Sequence, residues 1–176
     1  MIRKSAEADA PAILAIVNAA AQAYRGVIPA DRWHEPYMPA EELASEITDG
    51  VIFWVAEEEG RVLGVMGIQD KGEVALVRHA YVDPGVQRKG VGTRLLRHVQ
   101  GLTAKPVLIG TWAAASWAID FYRRNGFDVV PVECLIEPID DSVRFGSSGD
   151  GRHTVLPVTI CPSEHRRCKN CKGSRG

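Results

Sequence analysis

The sequence predicts an α/β fold, with a mixed, largely antiparallel sheet and helices on both of its faces. Three observations carry this expectation. Apolar residues recur at helical spacing in several segments, β-rich runs lie between them, and three of those runs follow one another across tight turns. The chain of 176 residues is long enough for one domain with a full core and short for two of ordinary size.

After a short opening strand, a helix is predicted over about 10–24. Asp9 stands where an N-cap belongs, Pro11 suits the first turn, and Ile13, Leu14, Ile16, Val17, Ala20, Ala21 and Tyr24 recur at helical spacing. Residues 26–39 hold three prolines with Trp33, His34, Tyr37 and Met38, a pattern that reads as a loop exposing aromatic groups. A short second helix begins near Pro39, carries Glu41 and Glu42 in the first turn, where the helix dipole favours acids, and stops at Gly50. The β-rich runs 51–56 and 61–68 are joined by 57–60 as a hairpin, and Asp70-Lys71-Gly72 turns the chain into a third strand over 73–82. Val91, Leu95, Leu96, Val99 and Leu102 then fall on one face of a helix. An extended run over 107–112 follows, and after it a helix over about 114–124 that stops at Asn125-Gly126, a good left-handed terminus.

The connection between the third strand and the following helix carries the chemistry. Asp83-Pro84-Gly85 ends the strand sharply, and Gln87 to Thr93 lead into a helix whose first N–H groups have no intrahelical acceptor. Glycine at 90 and 92 lets a pyrophosphate approach the main chain, and Arg88, Lys89 and Arg94 place positive charge around it. Two familiar phosphate loops do not fit. A Walker A loop starting at Gly85 needs Lys at 91 and Ser or Thr at 92, where Val91 and Gly92 stand; a dinucleotide fingerprint starting at Gly90 needs a small residue at 95, where Leu95 stands.

What remains, Gln87-Arg88-Lys89-Gly90-Val91-Gly92 between strand and helix, resembles the acetyl-CoA pyrophosphate loop of the GNAT superfamily of N-acetyltransferases. The run Ala80 to Leu96 resembles that family's central strand, loop and helix. Ala118-Ile119-Asp120-Phe121-Tyr122-Arg123-Arg124-Asn125-Gly126-Phe127, about 30 residues on, resembles its later helix with a Phe-Tyr pair and closing Gly-Phe. Two motifs in this order, with a strand between, are more specific than either alone. The resemblance covers roughly residues 2–132. It implies a GNAT-like sheet splayed open between the strand at 74–82 and that at 107–112, with the pantetheine arm in the opening and acetyl-CoA as acetyl donor.

The resemblance also implies roles. Ala80, Tyr81 and Val82 would offer backbone groups to the pantetheine arm, with the Val82 N–H directed at the thioester oxygen. Gln87, Arg88, Lys89, Gly90, Val91, Gly92 and Thr93 would hold the pyrophosphate. Tyr122, by motif position, would protonate the CoA sulfur; its alternative is a helix tyrosine packed on the core. For the general base the central strand offers His79, whose ordinary pKa of about 6.5 suits neutral pH, and Glu73 beside the turn. Strand alternation puts His79 on the side of Val77 and Tyr81, where it could equally pack beneath a helix. One departure from the family pattern is Ala115, seven residues before Tyr122, where members often carry Asn; Ser116 is its neighbour. The acceptor side would come from the segment between the first two helices, where Tyr24, Trp33, Glu35 and Tyr37 supply an aromatic wall and a carboxylate for an amine.

Composition bounds the partners. A net charge of −1 gives no reason to expect nucleic acid, and no run approaches the ~18 apolar residues that span a bilayer, so a cytoplasmic protein without membrane or nucleic-acid partner is predicted. The expected partner is a small-molecule amine, with a homodimer left open. All four cysteines, Cys134, Cys161, Cys168 and Cys171, lie in the last quarter of the chain, and the segment from Gly151 carries about +5. Cys161, His165, Cys168 and Cys171 could ligate zinc, but they crowd into a short segment with nothing hydrophobic around them, and no metal is expected. The acetyltransferase domain is placed at 1–161 and a basic, disordered tail at 162–176. The last strand is the weak point, because Pro157 lies in the only β-rich stretch left, 153–161. Rival readings on the same fold are a non-catalytic CoA-binding sensor and a protein or peptide N-acetyltransferase.

Overall fold

Residues 1–130 and 157–162 are described by the structure, a computed structural model, in which the chain divides into two compact units, Met1–Val107 and Leu108–Gly176. In the first unit β1 (Ile2–Lys4), β2 (Ile52–Glu58), β3 (Arg61–Lys71) and β4 (Val74–Val82) pair antiparallel in that order. Helices α1 (Ala10–Ala21), α2 (Ala40–Thr48) and α3 (Val91–Gln100) complete it.

Strand alternation sorts the side chains of this sheet into two layers. Register joins Phe53 to Gly67 and Arg78, and Val55 to Val65 and Tyr81. Phe53, Val55 and Val65 pack with Ile13, Ile16 and Val17 of α1 and Leu43 of α2. Trp54, Met66 and Ile68 take the other face, where the Trp54 ring lies 4.4 Å from His98 of α3. Helices therefore cover both faces of this sheet, as predicted. Burying a side chain such as Phe53, 1% exposed, contributes on the order of 1.5–3 kcal/mol. On the second face a Cβ at Gly64 would sit 3.0 Å from Val91 Cγ1 and 3.2 Å from Leu95 Cδ1. The absence of a side chain there is what lets the first turn of α3 settle onto β3.

The predicted elements are present, with instructive shifts at their ends. β2 runs two residues further toward its hairpin with β3 than apolar patterning indicates, because charge on these residues is matched: Glu57 is bonded by Arg3 and Glu58 by Arg94. The turn itself is tight, with Glu59 at φ +50° and Gly60 at φ +77°, the handedness that two-residue hairpin loops need. Asp9 is not a side-chain cap of α1. Its carboxylate instead accepts from the Ala6 N–H at 2.7 Å and forks onto Arg3 at 2.6 and 2.9 Å, and Arg3 holds its carboxyl below the ordinary range. Met38, expected in an exposed loop, is 1% exposed, and Asn18 of α1 grips its backbone twice, at 2.8 and 3.0 Å. Leu102, expected on the buried face of α3, lies past the helix end and is 45% exposed.

In the second unit β5 (Val107–Trp112) is followed by α4 (Ser116–Arg124), β6 (Phe127–Val130) and β7 (Pro157–Pro162). The helix stops as predicted, at Gly126 with φ +85°. β7 lies between β5 and β6, antiparallel to both. Pro157 does not interrupt it, because it is the strand's first residue, opposite Trp112, and Pro162 is the last, opposite Phe127; prolines at strand ends sacrifice little of the ladder. Cys161 belongs to β7, whereas Cys134, His165, Cys168 and Cys171 and most of the expected tail lie outside the described residues.

Candidate active site

β4 is not a regular strand. Val65 of β3 faces Tyr81 and Gly67 faces Arg78, so three steps along β4 match two along β3 and one residue is extra. The extra residue falls at His79–Ala80, and His79 is left-handed, at φ +49°, a conformation that costs a residue with a Cβ about 1–2 kcal/mol. The bulge corrects the expected alternation. Val77 pairs with Ile68 on the α3 face, whereas Tyr81 lies with Val65 on the α1–α2 face, and His79 joins Tyr81's side with its ring 5.8 Å from Phe53.

Beyond the bulge the pairing resumes. The Asp83 N–H donates to Leu63 O at 2.9 Å, and the Tyr81 carbonyl lies against Gly64. Antiparallel backbones alternate in direction, so Tyr81 spends its amide and carbonyl on β3, and those of Val82 face the opposite edge of β4. In keeping with this, the Val82 carbonyl accepts from Gln87 Nε2 at 3.4 Å. Gln87 thus fastens the loop to the strand end, while Asp83 bonds the Gly85 N–H at 2.8 Å and pairs with Arg61.

The loop then turns through two left-handed residues, Arg88 at φ +65° and Gly90 at φ +78°. Gly90 is the N-cap of α3, and no side chain caps the helix. The first helical bond runs from Arg94 N–H to Gly90 O at 3.0 Å, so the N–H groups of Val91, Gly92 and Thr93 precede it, at the positive end of the helix dipole. No atom lies within 4 Å of where a Cβ at Gly90 would stand. Arg88 and Lys89 are exposed beside this end, and Arg94 is drawn to Glu58 at 3.0 Å. The arrangement suits a phosphate group: backbone donors, open space and two cations.

On the opposite face the rings of Tyr24 and Trp33 both meet that of Tyr37. Tyr37 lies at the centre, with ring centroids 6.3 Å to Tyr24, 5.5 Å to Trp33, 6.0 Å to His34 and 6.4 Å to Tyr81. The Tyr81 ring was not foreseen there, because the motif reads it only as backbone. Glu35 is more than half exposed and lies 3.7 Å from Arg25, so it faces water and a cation rather than the rings.

Of the base candidates, Glu73 occupies the exposed turn before β4, roughly a strand's length of 30 Å from Val82. His79 is largely buried, with Nε2 3.2 Å from Glu46 Oε2. Sequence reasoning misses Glu46, naming only Glu41 and Glu42 on that helix. Its other oxygen, Oε1, accepts from Arg78 Nη2 at 2.6 Å, and Arg78 also donates to Gln69 Oε1 at 3.2 Å. Burial pushes the Glu46 carboxyl up most strongly, yet His79, Arg78 and Lys71 together hold it below its ordinary value. In the second unit Tyr122 of α4 is 6% exposed, edge-on to Phe121 at 5.0 Å and Phe127 at 6.0 Å. Ala115 is fully buried at the start of α4 and Ser116 is exposed.

The acetyltransferase (GNAT) domain profile matches residues 49–129, which span the bulged strand, the loop, α3 and Tyr122. Residues 49–129 are a GNAT acetyltransferase domain. Outside that span it is the fold that carries the likeness: the α/β fold is that of solved GNAT proteins. PaiA N-acetyltransferase from Thermoplasma acidophilum, solved in complex with coenzyme A, is 19% identical over 92% of this chain and 97% of its own, with a TM-score of 0.68. Ribosomal-protein-alanine N-acetyltransferase from Brucella melitensis is 22% identical over 92% and 97% of the two chains, with a TM-score of 0.61. N-acetylglutamate synthase from Neisseria gonorrhoeae, solved with coenzyme A and N-acetyl-glutamate, is 21% identical over 92% of this chain and 34% of its own, with a TM-score of 0.64. No curated protein matches the chain in sequence. Among the described residues no helix is long and apolar enough to cross a membrane.

Proposed function

We propose that this GNAT protein transfers the acetyl group of acetyl-CoA to a primary amine of a small molecule, by direct attack of the neutral amine on the thioester. The observation that carries the reading is the uncapped start of α3 behind left-handed Gly90, joined by a short loop to a bulged strand whose Val82 amide faces away from its partner β3. In this reading the N–H groups of Val91, Gly92 and Thr93, with Gly90, Arg88 and Lys89, hold the pyrophosphate. Gln87 keeps the loop on β4, and the backbone of Ala80 to Val82 takes the pantetheine arm.

As the amine attacks, negative charge grows on the thioester oxygen, and the Val82 N–H stabilises it. Collapse of the tetrahedral intermediate breaks the C–S bond and expels the CoA thiolate; Tyr122 gives it a proton, a role supported by its place in the second motif, and the proton that the amide nitrogen loses goes to solvent, from which the tyrosinate is reprotonated. The ammonium sheds its proton to solvent before attack, since Glu73 stands at the far end of β4 and His79 Nε2 is directed at Glu46. The rings of Tyr24, Trp33, Tyr37 and Tyr81 form the acceptor wall, with Glu35 at its rim.

The test is release of free CoA thiol from acetyl-CoA across a panel of small amines, peptides and amine-free controls. Amine-dependent release with a matching acetylated product supports the reading. CoA binding without release for any amine would make the protein a CoA-binding module, and release with peptides alone would move the acceptor to a polypeptide.

A further inference from the structure

Glu46 lies on α2, three residues from the buried anchor Leu43 and so on the face of the helix that meets the sheet. Its two carboxylate oxygens reach two successive residues of β4, Arg78 at 2.6 Å and His79 at 3.2 Å. In a regular strand those neighbours point to opposite faces, and one carboxylate could not meet both. They converge on α2 only because His79 is left-handed and the strand is bulged. All three side chains are at least four-fifths buried, and Phe53 backs the His79 ring. The same bulge shifts the register of everything after it, including Tyr81 and Val82.

We propose that Glu46 is a positioning residue: by spanning Arg78 and His79 it selects the bulged form of β4, and so fixes the direction of the Val82 amide. This rests on the reading of Val82 as donor to the thioester oxygen. Glu46 touches no reacting atom and acts through the strand. Without the lock, the left-handed conformation of His79 has no counterweight, and β4 spends part of its time in regular alternation, which swings the Val82 amide out of line.

The experiment uses the full chain and Glu46→Gln, which keeps shape and a bond to Arg78 but removes the charge. Turnover should fall about tenfold to a hundredfold, the penalty of a misplaced catalytic group, with KM for acetyl-CoA within about twofold. Amide hydrogen exchange should speed up at Tyr81 and Asp83, which bond β3 beyond the bulge, and stay unchanged at Ile13, Ile16 and Val17 of α1. A second background separates positioning from mere stability. Glycine enters the left-handed region unaided, so in His79→Gly the further loss from Glu46→Gln should shrink to within about twofold. Unchanged exchange at Tyr81 and Asp83, or an equal loss in both backgrounds, overturns the proposal. Faster exchange at Tyr81 and Asp83 in Glu46→Gln, where the wild-type protein acetylates nothing, would uphold the lock and overturn the enzymatic reading instead.

Discussion

The junction from β4 to α3 and the segment from Tyr24 to Met38 are both irregular, and they are held in opposite ways. The junction is held by the backbone: left-handed Arg88 and Gly90, a sharp stop at Asp83-Pro84, and helix N–H groups that nothing caps. The segment is held by side chains: Met38 in the core, Asn18 gripping its backbone, and a ring cluster centred on Tyr37. Main-chain geometry is the same for any sequence that can adopt it, so the first region suits an unvarying ligand such as a pyrophosphate. A packed cluster changes with each residue in it, so the second suits whatever acceptor this protein has.

The largest effect is expected where the backbone is touched. Gly90→Leu places a side chain at φ +78° and into space that protein atoms leave open. Strain of about 1–2 kcal/mol and loss of the anion's room should together weaken CoA binding by about a hundredfold or more, read by calorimetric titration. Near-normal affinity would mean that the phosphate does not sit on this loop. Tyr122→Phe comes next. It keeps the edge-on packing against Phe121 and Phe127 and removes only the hydroxyl, so kcat should fall about a hundredfold with melting temperature and acetyl-CoA KM little changed. An unaltered kcat would assign the thiolate's proton to water.

The sequence made the backbone-held region legible for a physical reason. Gly90, Gly92 and the Asp83-Pro84-Gly85 stop are residues whose conformational demands are written in their covalent structure, and periodicity around Leu95 and Leu96 placed the helix behind them. His79 shows the limit. Nothing in its type announces a left-handed residue, so simple alternation placed it with Val77, and the bulge that moved it away depends on Glu46, 33 positions earlier. Glu57 and Glu58 look like loop in the sequence for the same reason: their partners Arg3 and Arg94 are remote in it. Pro157 stands in the middle of the β-rich stretch 153–161, but its effect depends on where β7 begins, which is at Pro157 itself. Among the acceptor residues the aromatic types were visible, but not that Tyr37 is the hub, nor that Tyr81 reaches it across the sheet face.

Two substitutions in the side-chain-held region should have smaller effects, confined to the acceptor. Tyr37→Ala removes the ring that four others meet, each such pair being worth about 0.5–1.5 kcal/mol, and should raise the acceptor KM about tenfold while CoA affinity stays within about twofold. Glu35→Gln is the weakest. Its carboxylate is 59% exposed and its ion pair with Arg25 spans 3.7 Å between two solvated side chains, a kind of contact that contributes little. Acceptor KM should therefore change by less than about twofold, and raising salt should leave it flat. A tenfold rise in Glu35→Gln with Tyr37→Ala silent would reverse the picture: the acceptor would be recognised by charge at the rim, and the ring cluster would serve only to hold the loop on α1.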